Sequence, residues 1–245
     1  MPTQRGLTYD RAVAASYARH RGVRPEVLAR LIEDSAVDRD SRVLEVGCGT
    51  GDHIIAVQFV TGCAAFGIDI SEEMLAHAGR RDTPVSFAVG TAEYLDFADA
   101  SLDFVFTVDV VQHLGGTAAH YGEAYRVLAP GGRLCTMTHS DDMVRDTIVL
   151  SRYFPETVEV NLARYPTVET LREQMTAAGF GDPHDDEIAY PAEVANSALY
   201  ASKAYSTLHL IPQEAFERGL AALERDLEAG PITGERRYLM LWATK

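Results

Sequence analysis

The sequence is poor in basic residues and in cysteine, and it has no long apolar run. Lys and Arg number 22 against 36 Asp and Glu, which gives a formal net charge of −14. Proteins that bind nucleic acid usually neutralise phosphates with Lys and Arg, so this charge argues against RNA or DNA as a partner. No run approaches the length of a membrane span, and residues 1–5 lack the apolar core of a signal peptide. We therefore expect no membrane partner.

The three cysteines, Cys48, Cys63 and Cys135, form no C-x-x-C pair and show no zinc-binding spacing. Free thiols are typical of a reducing compartment, so we expect a cytoplasmic protein. A chain of 245 residues with 47% hydrophobic and 24% charged residues can bury a full core. No repeat, low-complexity tract or linker divides the chain, and a single domain over residues 1–245 is expected.

The chain is organised around residues 43–51, where an apolar run ends in Glu45-Val46 and three glycines follow at every second position. This pattern predicts a buried strand that turns sharply into a helix beginning near Asp52. Glycine permits unusual backbone angles and lets a ligand approach closely. The first N–H groups of the helix point at the same place. The stretch therefore predicts a nucleotide-type site.

The glycine spacing distinguishes two classes of nucleotide. A dinucleotide fingerprint, G-x-G-x-x-G, needs its third glycine where this chain has Asp52. A carboxylate there repels a pyrophosphate, whereas Glu45 and Asp52 together suit a cationic ligand without phosphate. Asp69 ends a second apolar run about twenty residues later, where a carboxylate can accept both hydroxyls of an unphosphorylated ribose. A glycine-rich turn that binds nothing is the remaining interpretation.

The string Glu45-x-Gly47-x-Gly49-x-Gly51 resembles motif I of the class I S-adenosylmethionine-dependent methyltransferases. The resemblance covers the chain from about Tyr9 to Gly181, together with the final strand. It implies an α/β, Rossmann-like fold with a seven-stranded, mostly parallel sheet in the order 3-2-1-4-5-7-6 and an added helical lid. Three further stretches resemble the same family, and they are Gly67–Leu75, Gln112–Leu114 and Leu128–Leu134.

This fold divides the chain into a core and a lid. The expected core spans about 36–140, 166–190 and 235–245, and the expected lid spans about 1–35, 141–165 and 191–230. Apolar periodicity predicts the individual elements. They include an N-terminal helix over Thr8–His20, helices over Asp52–Thr61 and Val194–Leu210, and strands over Ala64–Asp69, Leu102–Val108, Glu187–Tyr190 and Glu235–Lys245.

The resemblance implies S-adenosyl-L-methionine as cofactor and S-adenosyl-L-homocysteine as its product. Thr91 stands where relatives commonly have Asp, so the adenine amino group needs another acceptor, from the backbone near Ala92 or from Glu93. The implied cofactor contacts lie on the N-terminal helix, the glycine loop and the ends of the second, third and fourth strands. They are Tyr17, Glu45, Gly47, Cys48, Gly49, Gly51, Asp69, Ile70, Met74, Gly90, Thr91, Ala92, Glu93, Val108 and His113.

Methyl transfer is an in-line displacement that mainly needs alignment of the reactants and exclusion of water. An acceptor that must lose a proton also needs a general base within hydrogen-bond reach. His139 and His113 are the candidates because both fall at strand ends facing the site, although a structural role or catalysis without a base remains open. Asp109, Asp141 and Asp142 resemble the metal ligands of catechol-type O-methyltransferases, but the expected Asp-Asn pair is absent and no metal is expected.

The hypothesis that follows is a methyltransferase acting on an O, N or C centre of a small molecule. The tyrosines of the lid favour an apolar or aromatic acceptor, and the protein is expected to be a monomer or homodimer. Two alternatives stay open. One is an enzyme of the same fold that uses the cofactor for cyclisation or rearrangement, and the other is a non-catalytic module that binds the cofactor.

Overall fold

A computed structural model describes residues 23–245, and the predicted helix over Thr8–His20, with Tyr17, lies outside them. Strands and helices alternate regularly in the first part of the chain. They are α1 (Pro25–Ser35), β1 (Arg42–Val46), α2 (Asp52–Thr61), β2 (Ala64–Asp69), α3 (Glu72–Ala78), β3 (Ser86–Val89) and β4 (Leu102–Val108). The bounds of α2, β2 and β4 are those predicted from the sequence.

Short helices interrupt the alternation in the second part of the chain, after β5. The elements are α4 (Thr117–Val127), β5 (Leu128–Thr138), α5 (Asp141–Arg145), α6 (Leu150–Tyr153), α7 (Glu156–Leu162), α8 (Val168–Ala178), β6 (Gly181–Val194), α9 (Ala198–Ala201), α10 (Gln213–Glu228) and β7 (Ile232–Thr244). Residues 23–245 also contain two 3-10 turns, Val111–His113 and Ser206–His209. Within residues 23–245, no helix is long and apolar enough to cross a membrane.

The seven strands found in the described part of the chain belong to one sheet with the order β3-β2-β1-β4-β5-β7-β6. The first five strands run parallel, whereas β7 is antiparallel to both β5 and β6. The predicted fold class and strand order are confirmed. The carboxyl ends of the parallel strands therefore meet at one edge, which is where open α/β sheets bind their ligands.

Helices cover both faces of the sheet because successive strand residues point to opposite sides. Leu241 of β7 joins the apolar cluster on the face of α4 and α8, whereas Trp242 joins the cluster on the opposite face. Val27 and Leu31 of α1 are buried in this second cluster. Helix α1 thus packs as part of the layer over the sheet, which differs from the lid position expected for residues 1–35.

Strands β6 and β7 form a hairpin that is much longer than predicted. Their pairing runs from Gly181 opposite Thr244 to Val194 opposite Ile232, whereas β7 pairs with β5 only up to Leu239. The outer half of the hairpin therefore projects beyond the carboxyl edge of the parallel strands. The predicted short strand over 187–190 is a fourteen-residue strand. The predicted helix over 194–210 is wrong, because this segment holds the end of β6, α9 and a 3-10 turn.

The insertions at 141–165 and 195–231 share an apolar cluster of their own. Val149, Tyr153 and Phe154 from the first insertion pack with Tyr200 and Phe216 from the second. The close approach of α10 requires Gly219, since a Cβ there would collide with the Tyr153 carbonyl and the Phe154 ring. We call this group of residues the insertion cluster. It lies beside the projecting hairpin, at the ligand-binding edge of the sheet.

Candidate functional site

The loop between β1 and α2 has the backbone geometry that its glycines predict. Gly47, Gly49 and Gly51 have φ values of 72°, 54° and 77°, in the region that favours glycine. The amides of Gly47 and Cys48 donate to the Ile68 carbonyl at 2.8 and 2.9 Å, which fixes the loop to β2. A Cβ on Gly51 would lie 2.7 Å from the Phe87 ring. Both conformation and space therefore demand glycine at this position.

Glu45, at the end of β1, accepts a hydrogen bond from the first turn of α2. Its side chain is only 2% exposed, and it accepts a hydrogen bond from the Ile54 amide at 3.0 Å. One carboxylate oxygen also lies 3.7 Å from Nδ1 of His53. Burial raises the pKa of Glu45 well above its usual value, against the opposing effect of the Ile54 amide. Glu45 thus lies beneath the glycine loop, against the first turn of the helix.

Asp52 contributes less to the electrostatics of the loop than the sequence suggests. Its carboxylate accepts from the Thr50 hydroxyl at 2.9 Å and pairs with the guanidinium of Arg81. The paired charge repels an anion only weakly, because Arg81 compensates it. The spacing of the glycines, rather than the charge of Asp52, therefore carries the distinction from a dinucleotide site.

Asp69 joins the end of β2 to the glycine loop. One carboxylate oxygen accepts from the Gly49 amide at 2.8 Å and the other accepts from the Ser71 amide at 2.9 Å. Burial raises the pKa of Asp69, and these backbone donors oppose the increase. Each oxygen keeps acceptor capacity beyond the bond that it makes. The geometry fits a carboxylate that accepts the hydroxyls of a ribose.

Exposed branched and ring side chains follow the ends of β2 and β3. Ile70 is 75% exposed and Tyr94 is 69% exposed, which leaves ring and branched surface for a planar ligand. The loop after β3 lies next to them, since the Gly90 amide donates to the Asp69 carbonyl at 3.0 Å. Within this loop Ala92 is buried, whereas the side chains of Thr91 and Glu93 are exposed. Met74 is buried beneath Gly49, 3.0 Å from the position that a Cβ would take.

Two cavities meet at the carboxyl edge of the sheet. The first reaches the glycine loop and Val108, and we call it the cofactor-side cavity. The second extends under the insertions and is lined by both His113 and His139, and we call it the acceptor-side cavity. Among the described residues, four line both cavities, and they are Asp109, Tyr200, Arg236 and Tyr238.

His139 and Asp109 form a pair at the junction of the two cavities. Nδ1 of His139 lies 3.4 Å from Oδ1 of Asp109, and the Tyr238 hydroxyl donates to Oδ2 of Asp109 at 3.3 Å. The imidazole packs against the Tyr238 ring at 4.7 Å and meets the Tyr165 ring edge-on at 5.8 Å. Asp109 has a φ of 56°, which is strained for a residue other than glycine. The end of β4 thus holds this carboxylate in a fixed place beside the imidazole.

His113 has a different environment from His139. Its Nδ1 lies 3.3 Å from Nη2 of Arg164 in the acceptor-side cavity. Burial, with a further contribution from Arg164, lowers the pKa of His113 to about 4. The imidazole is therefore neutral at neutral pH and can accept from Arg164. The structure places His113 away from the glycine loop, on the acceptor side, so its implied contact with the cofactor stays a prediction.

The carboxylates of the proposed metal arrangement are not brought together. Asp109 faces His139 and Tyr238, whereas Asp141 and Asp142 are exposed in the first turn of α5. Across residues 23–245, no group of three His, Cys, Asp or Glu side chains is suited to hold a metal ion. The sequence reasoning also missed Arg164, Arg236 and Tyr238. No local motif marks these residues, because they reach the site only through the insertions and the long hairpin.

The fold and the glycine loop at the carboxyl edge of the sheet are those of an α/β protein that binds a nucleoside cofactor. Comparison with known sequences gives its family. Residues 44–136 match the family described as a methyltransferase domain. The chain is 30% identical over 166 residues to the demethylmenaquinone methyltransferase of Thermus thermophilus, covering 57% of this chain and 74% of that protein. The chain belongs to the class I S-adenosylmethionine-dependent methyltransferases, whose cofactor is S-adenosylmethionine.

Other similarities extend over more of the chain at lower identity. The malonyl-[acyl-carrier protein] O-methyltransferase of Erwinia pyrifoliae is 28% identical over 200 residues, which cover 80% of this chain and 74% of that protein. A crystal structure of a putative methyltransferase from an antibiotic biosynthesis pathway of Anabaena variabilis superposes with a TM-score of 0.70 at 20% identity, covering 89% and 96% of the two chains. Matches to several further methyltransferases span only 22% to 39% of those proteins.

Proposed function

We propose that this protein transfers a methyl group from S-adenosylmethionine to an O, N or C centre of a small aromatic or apolar molecule. The observation that supports this most is the junction of the two cavities at Asp109 and Tyr238. A donor bound against the glycine loop and an acceptor bound under the insertions would meet there, beside His139. Such positioning is the main requirement of methyl transfer.

The residues of the cofactor-side cavity, together with those at the ends of the neighbouring strands β2 and β3, fit the parts of the cofactor. The glycine loop leaves room for close approach, Asp69 would accept the ribose hydroxyls, and Ile70 and Tyr94 would border the adenine. Arg24 also lines this cavity, with its guanidinium 5.7 Å from the centre of the Tyr190 ring, and would hold the methionyl carboxylate. When bound, S-adenosylmethionine supplies a methyl group on a positively charged sulfur.

His139 is the proposed general base. Asp109 beside Nδ1 favours the tautomer that carries its proton there, which leaves Nε2 to accept a proton from the acceptor. The Tyr238 hydroxyl donates to the other oxygen of Asp109 and would so hold the carboxylate in place beside the imidazole. His113 would act in positioning, through its contact with Arg164. The insertion cluster would form the lid that excludes water from the junction.

Methyl transfer is tested with cofactor labelled in its methyl group. The full chain is incubated with this cofactor and a panel of small phenols, amines and carboxylates, and the products are followed for label and for mass. Labelled product that depends on enzyme and acceptor supports the proposal. A converted acceptor without label would instead indicate cyclisation or rearrangement. Tight binding of S-adenosylhomocysteine without any turnover would indicate a module that only binds the cofactor.

A further inference from the structure

Arg236 reaches the junction of the cavities because side chains along β7 point alternately to the two faces of the hairpin. It lies opposite Tyr190 of β6, and Tyr238 lies opposite Ile188 two positions along, so both side chains share one face of the hairpin. The intervening residue, Arg237, points to the other face and pairs with Glu187 at 2.6 Å. Of the two adjacent arginines, one is thus matched by a carboxylate and the other lines both cavities.

Arg236 is half-buried, and none of the carboxylates of residues 23–245 is paired with it. Among residues 23–245, no Asp or Glu oxygen lies within 4.0 Å of its guanidinium nitrogens. Its surroundings are tyrosines, with Tyr200 and Tyr205 stacked at 5.2 Å between ring centres. A partly desolvated cation without a countercharge is unfavourable. Its planar fork of donors matches the oxygens of a carboxylate or a phosphate.

The remaining charges of the acceptor-side cavity agree with an anionic ligand. Arg164 is a second cation of this cavity, and its guanidinium contacts the Ser206 hydroxyl at 3.3 Å and the imidazole of His113. Asp146 and Glu235 are acids of the same cavity, but both are exposed at its rim. Of the residues that the structure describes, Arg164, Arg236 and Arg237 line this cavity, and Arg237 is already paired with Glu187. Asp109, the described lining carboxylate that is not exposed, faces His139.

We propose that Arg236 binds a carboxylate or phosphate group of the acceptor, so that the substrate class is a small aromatic anion. The inference rests on the proposed methyl transfer and adds to it the chemistry that orients the acceptor. Arg24 lines only the cofactor-side cavity, so it is the better placed of the two for the methionyl carboxylate. Arg236, on the hairpin at the junction, is left for a group on the acceptor. Tyrosines around it supply further hydrogen-bond donors and ring surface.

The test uses the full chain saturated with S-adenosylhomocysteine and three probes of similar size: benzoate, phenyl phosphate and benzyl alcohol. We expect one of the two anions to bind about tenfold more tightly than the neutral alcohol in calorimetry, since a charge-assisted pair is formed. The preference should vanish in Arg236→Gln and persist in part in Arg236→Lys. The matched control is Arg225→Gln, which removes an exposed charge from α10 and should keep the preference.

The affinity for S-adenosylhomocysteine, measured first in each variant, separates the possible failures. If the wild-type chain does not bind S-adenosylhomocysteine, the proposed function itself fails. If Arg236→Gln weakens S-adenosylhomocysteine as strongly as Arg24→Gln does, Arg236 holds the cofactor and the inference is overturned. It is also overturned if neither anion binds better than benzyl alcohol, including the case in which none of the probes binds, or if the preference survives in Arg236→Gln.

Discussion

Nδ1 of His139 lies 3.4 Å from Oδ1 of Asp109, where the ends of two neighbouring parallel strands meet. This pair stands between the cavity that reaches the glycine loop and the cavity under the insertions. A carboxylate beside one ring nitrogen sets the tautomer of an imidazole. The pair is therefore the part of the structure that links cofactor binding to acceptor chemistry.

Replacing His139 by Ala should slow methyl transfer by about 10² to 10⁴-fold, since a positioned general base contributes about that much. Asp109→Asn should have a smaller effect on the rate and should shift its pH dependence, because Asp109 acts through the imidazole. Affinity for S-adenosylhomocysteine should stay within about twofold in both variants. Single-turnover rates with a proton-losing acceptor check this. A His139→Ala rate equal to that of the wild type would reject His139 as the base.

Gly51→Ala should reduce both stability and cofactor affinity. The new Cβ would adopt the left-handed backbone region and also press on the Phe87 ring. Gly131→Ala is the matched control, because Gly131 has a φ of 83° but nothing within 4 Å of its Cβ position. We expect a loss of about 1 kcal/mol for the control, from backbone strain alone, and about 2–4 kcal/mol for Gly51→Ala. Equal losses in urea denaturation would contradict the packing of the loop.

Two helical glycines form a second matched pair, one in α4 and one in α10 beside the insertion cluster. Gly122 lies in α4 with nothing within 4 Å of its Cβ position, so Gly122→Ala should stabilise the protein by about 0.5–1 kcal/mol. Gly219→Ala gains the same helix propensity but places a methyl group against Tyr153 and Phe154. It should destabilise the protein by about 1–3 kcal/mol. Stabilisation by both substitutions would mean that α10 does not pack closely on the first insertion.

Stability should fall in mild acid because two histidines are buried in their neutral form. Burial lowers the pKa of His113 and of the fully buried His120 to about 4, whereas histidine in an unfolded chain titrates near 6.5. Between these values the unfolded chain binds more protons than the folded one. The free energy of unfolding should therefore be fully present above pH 6.5 and decrease as the pH falls towards 4.

The slope can reach about 1.4 kcal/mol per pH unit for each histidine. Urea denaturation between pH 7 and pH 4.5 measures it, and His120→Leu provides the comparison because it removes one of the two titrating groups. The variant should lose stability more slowly with falling pH than the wild type. Identical slopes in the two proteins would show that His120 is not buried in its neutral form.

The sequence predicts the part of the fold around the glycine loop well, because the patterns that mark β1, α2 and β2 lie within short stretches of the chain. The apolar run of β2 ends in an acid that bonds to the glycine loop, so both the strand end and the ligand edge follow from one short stretch. The bounds of β2 and α2 are those predicted. The pairing of His139 with Asp109 also follows from neighbouring strand ends, although only their positions, and not their contact, were predicted.

The rest of the site depends on pairing between distant segments. Residues 181–194 carry several acids, a pattern that argues against a long strand, yet β7 pairs along their whole length. Because of this pairing, the segment around 194–210 does not form the helix that its local sequence predicts. The pairing also places Arg236 and Tyr238 beyond the carboxyl edge of the parallel strands, where they line the cavities. An arginine within a largely apolar strand gives no motif. Its role becomes visible only when the two cavities are seen to share it.

The central claim is that the glycine loop and Asp69 bind a nucleoside with an unphosphorylated ribose, as in S-adenosylmethionine and S-adenosylhomocysteine. Calorimetric titration of the full chain with S-adenosylhomocysteine, in parallel with NADPH and ATP, tests it most directly. We predict micromolar binding of S-adenosylhomocysteine, a loss of about 2–3 kcal/mol in Asp69→Ala from the missing charge-assisted hydrogen bonds, and no binding of the two phosphorylated nucleotides. Tight binding of NADPH or ATP without binding of S-adenosylhomocysteine would contradict the account.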